Sequence, residues 1–238
     1  MLQEQYEKHN LEMQPYRHYL AEYQNMDPRD ISRHLEIPFN ENTGLFRVNF
    51  MERSYTVSHP DLEIHCLDEE DNQAVLCGDI HAKILLLRYF TEGDYMRATG
   101  NLLSYRDLPW GDVYYRQFYG RCILRLSRMF GNRLETFCFI MENLKGIRKE
   151  YGDAAYEFNF LEGLRLCFVL WAGDEEFPPS AQILFSDNFP LAYAAEDAAH
   201  PGHEPEIIYI LYAFVIPGTG LYIFKSLFRV FGCGSSSP

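Results

Sequence analysis

The sequence predicts an α+β fold: a single domain with a small, mostly antiparallel sheet and helices packed against it. Three observations lead there. Hydrophobic residues make up 47% and aromatic residues 16% of the 238, ample material for a core. Strand signals are grouped, near residues 45–58 and again near 154–171, without regular strand–helix alternation. Segments with helical periodicity and start or stop residues occupy most of the chain between and around those groups.

Residues 3–25 read as a polar amphipathic helix with Leu11, Tyr16, Leu20 and Tyr23 facing inward. Pro15 lacks the N–H a helix needs and predicts a break or fresh start near its middle. In "MDPRDISRHLEIP", Asp27 is the N-cap, Pro28 the first helical residue, and Pro38 lies past the end. "GLFRVNFMERSYTVSH" alternates on both sides of "MER", which predicts a hairpin with Phe46, Val48 and Phe50 on one face. Residues 61–80 hold seven acids and no Lys or Arg, a solvated loop between a short strand at "LEIHCL" and the next helix. That helix, "DIHAKILLLRYFTEG", has Asp79 as cap and Gly93 as stop.

"VYYRQFYGRCILRLSRMF" is a long helix interrupted by Gly120, and "RLETFCFIMENLKGI" a second helix packed against it. "AYEFNF" alternates like a half-buried strand, whereas "LRLCFVLW" is nearly continuous, like a strand covered on both faces. After the double proline, "SAQILFSDNF" reads as a short helix.

Three regions are expected: a helical extension at 1–25, the α+β domain at 26–199, and a hydrophobic extension at 200–238 with a disordered tail. Ile207–Phe224 carries no charge, but "PGTG" splits it, and the halves fit a packed pair better than a bilayer span. The start of the chain is polar, and the six cysteines are dispersed without a C-x-x-C. Both point to a cytoplasmic protein with reduced thiols. The net charge of −13 opposes counterion-driven binding to nucleic acid and disfavours anionic membrane surfaces.

Between Leu166 and Phe224 stand eight carboxylates and no Lys or Arg. Gathered carboxylates raise one another's pKa, and they coordinate hard cations. Asp174, Glu176, Asp187 and Asp197 are the candidate ligands of a divalent metal, the one cofactor the sequence suggests. Asp174, Glu175, Glu176, Trp171, Glu196 and Asp197 are the candidate ligand-binding residues. The plain alternative is that these acids end strands, cap helices and face water.

His65, Cys66, Cys77 and His81 are four zinc-type ligands in 17 residues, but they lack the tight knuckle spacing of zinc modules, and Cys77 reads equally as a buried thiol. Arg121, Arg125 and Arg128 form an i, i+4, i+7 stripe. Docking of that stripe on the acidic region, within the chain or between subunits, is the expected use. No nucleotide-binding glycine loop, nucleophile elbow or H-E-x-x-H occurs.

"WAGDEEFPPSAQILFSDNFPLAYAAED" resembles the closing signature of the domain of unknown function 3786 family: an apolar strand into a G-D-E-E-F-P turn, an I-L-F-[SD] helix, then an E-D pair. Here these are Gly173 to Pro178, Ile183 to Ser186, and Glu196 with Asp197. "AKILLLRYF" at 82–90 and "LLSYRDLPWGDVYYRQF" at 102–118 are similar too, so the resemblance spans roughly residues 20–199. It implies an origin among anaerobes and, in some members, an added cysteine-rich iron–sulfur segment or a place near corrinoid metabolism. This chain carries no such segment. The expected function is a binding or accessory module. An acidic, aromatic-lined pocket or surface would take a metal-bearing or cationic ligand, or a basic protein partner that includes a second copy of the chain. The alternative is a metal-dependent hydrolase using the same carboxylates.

Overall fold

The computed structural model describes residues 2–68, 75–109 and 111–193. In chain order the elements are α1 (Leu2–Asn25), α2 (Pro28–Leu35), β1 (Phe39–Asn40), β2 (Leu45–Phe50), β3 (Arg53–Ser58), β4 (Ile64–Cys66), α3 (Val75–Gly78) and α4 (Ile80–Glu92). They continue with β5 (Leu102–Leu103), α5 (Gly111–Phe118), α6 (Leu124–Phe130), α7 (Leu134–Asn143), β6 (Ile147–Lys149), β7 (Ala154–Leu161), β8 (Leu164–Trp171), β9 (Ser180–Ser186) and α8 (Phe189–Ala192). A 3₁₀ turn (Tyr105–Asp107) precedes α5, and a π-helical turn (Tyr119–Ile123) joins α5 to α6. The nine strands form an open, mostly antiparallel sheet in the order β4-β3-β2-β7-β8-β9-β5, with β1 on β2 and β6 on β7. The α+β class is therefore as the grouped strand signals predict.

Backbone packing divides the chain into two compact units. The first holds, among the described residues, 2–68, 75–101, 159–164 and 186–193. Its helix starts follow local chemistry. Asp27 accepts a hydrogen bond from the Arg29 amide at 2.9 Å, and Asp79 from the Ala82 amide at 3.0 Å. Phe46, Val48 and Phe50 line one buried face of β2, as the alternation requires. Tyr23 of α1 stacks on Phe90 of α4 (5.3 Å between ring centres, 17° between planes) and donates its hydroxyl to Ser58 O at 3.0 Å. Helix α1 runs unbroken through Pro15, contrary to expectation. Losing one donor is tolerated where the C-terminal half of the helix is held by packing on α4. Gly93 ends α4 in extended backbone, not left-handed; a Cβ there would lie 2.5 Å from Tyr89 O.

Two hairpin tips meet in this unit. Met51 and Glu52 (φ 50° and 60°) turn β2 into β3, while Glu162 and Gly163 (φ 36° and 83°) turn β7 into β8. The tips bond reciprocally: a Glu52 carboxylate oxygen accepts the Asn159 amide, and a Glu162 oxygen accepts the Asn49 amide. Met51 N also donates to Phe160 O at 2.9 Å, and Phe50 pairs with Leu161. Burial holds the Glu162 carboxyl above the usual carboxylate range, against the lowering effect of the Asn49 amide.

The second unit holds, among the described residues, 102–109, 111–158 and 165–185. Tyr105 and Phe118 stack at 4.0 Å, and Phe137 meets both Phe130 and Tyr156. Buried Glu157 of β7 is neutralised by Lys149 (2.9 Å) and Arg165 (3.4 Å). Burial pushes the neighbouring Cys167 thiol up to about 12.

Two sequence expectations are corrected here. "SAQILFS" is a strand, not a helix: β9 pairs antiparallel with β8 from Trp171↔Ser180 to Leu166↔Phe185. The unpaired edge of β8, reached by a short reversal through the prolines, offers a full hydrogen-bond ladder, and Ile183 and Phe185 then fall on a buried face. Strand β7 is covered on both faces, not alternating, because the polar members of its pattern find partners: Glu157 its two cations, while Asn159 Oδ1 accepts the Gly163 amide at 3.1 Å.

Candidate functional site

The reversal between β8 and β9, residues 172–179, carries the candidate acids. Asp174 Oδ1 accepts hydrogen bonds from the Glu176 amide at 2.8 Å and the Phe177 amide at 2.7 Å. Its own amide donates to Phe177 O at 3.0 Å. Asp174 thus builds the turn, as short polar side chains do by mimicking backbone acceptors. The Phe177 amide, and then the Glu176 amide, hold its carboxyl below the ordinary range.

The rest of the turn is fixed from two sides. Gly173 N donates to Gly131 O at 3.2 Å, and a Cβ at Gly131 would collide with Pro179 at 2.0 Å. On the other side, Asp153 Oδ2 accepts the Ala172 amide at 2.7 Å, and Asp153 N donates to Leu170 O. Gly152, left-handed at φ 55°, brings that segment so close that a Cβ would stand 3.2 Å from the Trp171 indole.

On this frame the outward groups are apolar and acidic together. Phe177 is 67% exposed, Tyr151 47% and Trp171 37%. Glu175 and Glu176 are exposed, and neither carboxylate meets a cation among the described residues. Trp171, Asp174, Glu175 and Glu176 of the expected binding set therefore lie on one hairpin end. Glu196 and Asp197 lie outside the described residues, as does the whole of 200–238.

Asp187 sits in the first unit and is engaged there. Its Oδ1 accepts the Thr99 amide at 3.0 Å and its Oδ2 the Thr99 hydroxyl, which keep its carboxyl below the usual range. Among the described residues, no group of three or more His, Cys, Asp or Glu is placed to hold a metal. No described helix is long and apolar enough to cross a membrane.

Sequence reading missed Phe177 and Tyr151 as surface groups. Phe177 had a signal, a large aromatic ahead of a double proline in an acidic turn. Tyr151 had none, because its place beside this turn comes from strand pairing.

No curated protein and no solved structure matches the chain. The family model described as Domain of unknown function (DUF3786) matches residues 27–203, taking in both hairpins and the Asp174 turn, and the chain belongs to that family.

Proposed function

We propose that the protein is a binding module and that the 172–179 turn is its docking edge for a basic, arginine-bearing partner. One observation carries this reading: the Asp174 carboxylate is engaged by its own turn, which leaves Glu175, Glu176 and Phe177 directed to solvent on a fixed loop. A guanidinium is the group that uses a carboxylate and an aromatic face at once, bonding one and stacking on the other. Each exposed cation–π contact adds about 0.5–1 kcal/mol and each exposed ion pair roughly 0–1 kcal/mol. The complex expected is weak and salt-sensitive, and the net charge of −13 speeds the encounter.

The hydrolase alternative needs three carboxylates converging on a cation. Asp174 and Asp187 are each held by backbone amides, so support for that reading is thinner.

Fluorescence anisotropy with labelled peptides tests the proposal. An arginine-rich peptide should bind more tightly than a lysine-rich one, a neutral peptide should not bind, and added salt should release the complex. Phe177→Ala should weaken binding about two- to fivefold, and the paired change Glu175→Gln with Glu176→Gln up to about thirtyfold. Wild-type affinity in the doubly substituted protein sinks the reading.

A further inference from the structure

The first unit contains a second chemically suggestive place, at the free edge of β4. Cys66 stands directly opposite Tyr55 of β3, so both side chains lie on one face of the sheet, the face on which Tyr55 is fully buried. Ser58 N donates to Glu63 O and Leu67 N to Ser54 O, so residues 63 and 67 point their backbone groups at β3. Ile64 and Cys66 consequently point theirs outward. Helix α3 covers that edge. Cys77 Sγ donates to Ile64 O at 3.5 Å, and the Cys66 amide faces the same sulfur. Both thiols are half-buried and both are free.

Near them lies a buried polar group. Tyr55 Oη has no acceptor for its proton among the described residues, while the Leu76 amide lies against its oxygen, and both sulfurs are among the charges that bear on it, Cys66 first. A buried hydroxyl with no acceptor is costly. A thiolate on either cysteine would supply the acceptor.

His65 does not join this group. Strand alternation sends it to the opposite face from Cys66, where it is exposed. With two sulfurs, a phenol and no third metal-type ligand among the described residues, the chemistry favoured is that of a dithiol, not of zinc.

We propose that Cys66 and Cys77 form a reversible disulfide that ties α3 to the edge of β4, with Tyr55 as a positioning residue. The oxidant is a small-molecule disulfide of the glutathione class. One cysteine thiolate attacks the incoming disulfide, releasing one glutathione thiol and leaving a mixed disulfide. The second cysteine attacks that protein sulfur and releases the second glutathione thiol. Two S–H bonds are lost and one S–S bond forms; both electrons and both protons end on the two departing thiols. In a reducing compartment such pairs are transient and report redox state, while a structural disulfide would not persist there.

The test uses the full chain and glutathione disulfide. After acid quenching and alkylation, peptide mass mapping should find Cys66 linked to Cys77, and dithiothreitol should reverse the link. Cys66→Ser and Cys77→Ser should each stop at the mixed disulfide, with one glutathione on the remaining cysteine. Tyr55→Phe should shift the pH profile of ring closure to higher pH, since the thiolate loses its donor. Mixed disulfides at both positions with no linked peptide overturn the proposal, as does linkage of either cysteine to Cys138 or Cys233. An unchanged pH profile in Tyr55→Phe removes Tyr55 from it.

Discussion

The hairpins β2–β3 and β7–β8 are made from the same four-residue pattern and end differently. Asn49-Phe50-Met51-Glu52 and Asn159-Phe160-Leu161-Glu162 each place a buried Phe before an apolar residue and a Glu. Each hairpin is also preceded by a helix and a short strand on its first member, and followed by a third antiparallel strand on its second. The turns, however, are offset by one residue. Met51 and Glu52 take the two left-handed positions in the first, Glu162 and Gly163 in the second. The first tip therefore strains two side-chain-bearing residues, at roughly 1–2 kcal/mol each, where the second strains one and gives the other place to glycine. Turn placement, and not residue pattern, decides how each Glu reaches across to the other hairpin.

The largest loss of stability is expected at the paired rings. Phe50 and Phe160 lie 5.4 Å apart and are both fully buried. Phe50→Ala and Phe160→Ala should each cost about 3–5 kcal/mol in urea denaturation. The double variant should show about 0.5–1.5 kcal/mol of coupling, from the shared ring contact.

Next in size, Glu162→Ala should cost about 1–3 kcal/mol by leaving the Asn49 amide without its acceptor. Glu162 also gives a pH signature. Its folded pKa is raised above the ordinary 4.5, so folding favours its protonated form. The stability it contributes is fully present below the unfolded pKa and is lost as pH rises through the higher folded value. Urea midpoints across that window should fall in the wild type relative to Glu162→Gln, which cannot titrate. Parallel curves would contradict the assignment.

The smallest effects sharpen the offset itself. Gly163 has open space around a Cβ, so Gly163→Ala tests its φ of 83° alone and should cost about 1–2 kcal/mol. Glu52→Gly relieves a similar strain while losing the Asn159 bond, and the two should cancel to within about 1 kcal/mol.

Much of the fold was readable because its causes are local. Both N-caps, the Pro28 start and the β2–β3 hairpin depend on residues within four positions of one another. The misreadings came from distant causes. "QILFS" becomes a strand because β8 is there to receive it, and Gly93 is required by the approach of Tyr89 O and Ala192 O, not by backbone handedness. The candidate site divides the same way. Asp174 was visible as a turn residue in "GDEEFPP", whereas Tyr151, Asp153 and Gly131 arrive beside it only through pairing and packing. Asp187, grouped with Asp174 by composition, is claimed instead by Thr99, 88 positions earlier.

The packing of Gly131, Gly173 and Pro179 bears on how this turn can diverge among relatives. Neither glycine can accept a methyl group without displacing the proline ring, and at Asp174 only Asn keeps an acceptor at the same reach for the two amides. Those letters are steric and ought to persist whatever the protein meets. Glu175, Glu176 and Phe177 touch nothing that constrains them, so a change of partner over evolutionary time should be written there and nowhere else in the loop.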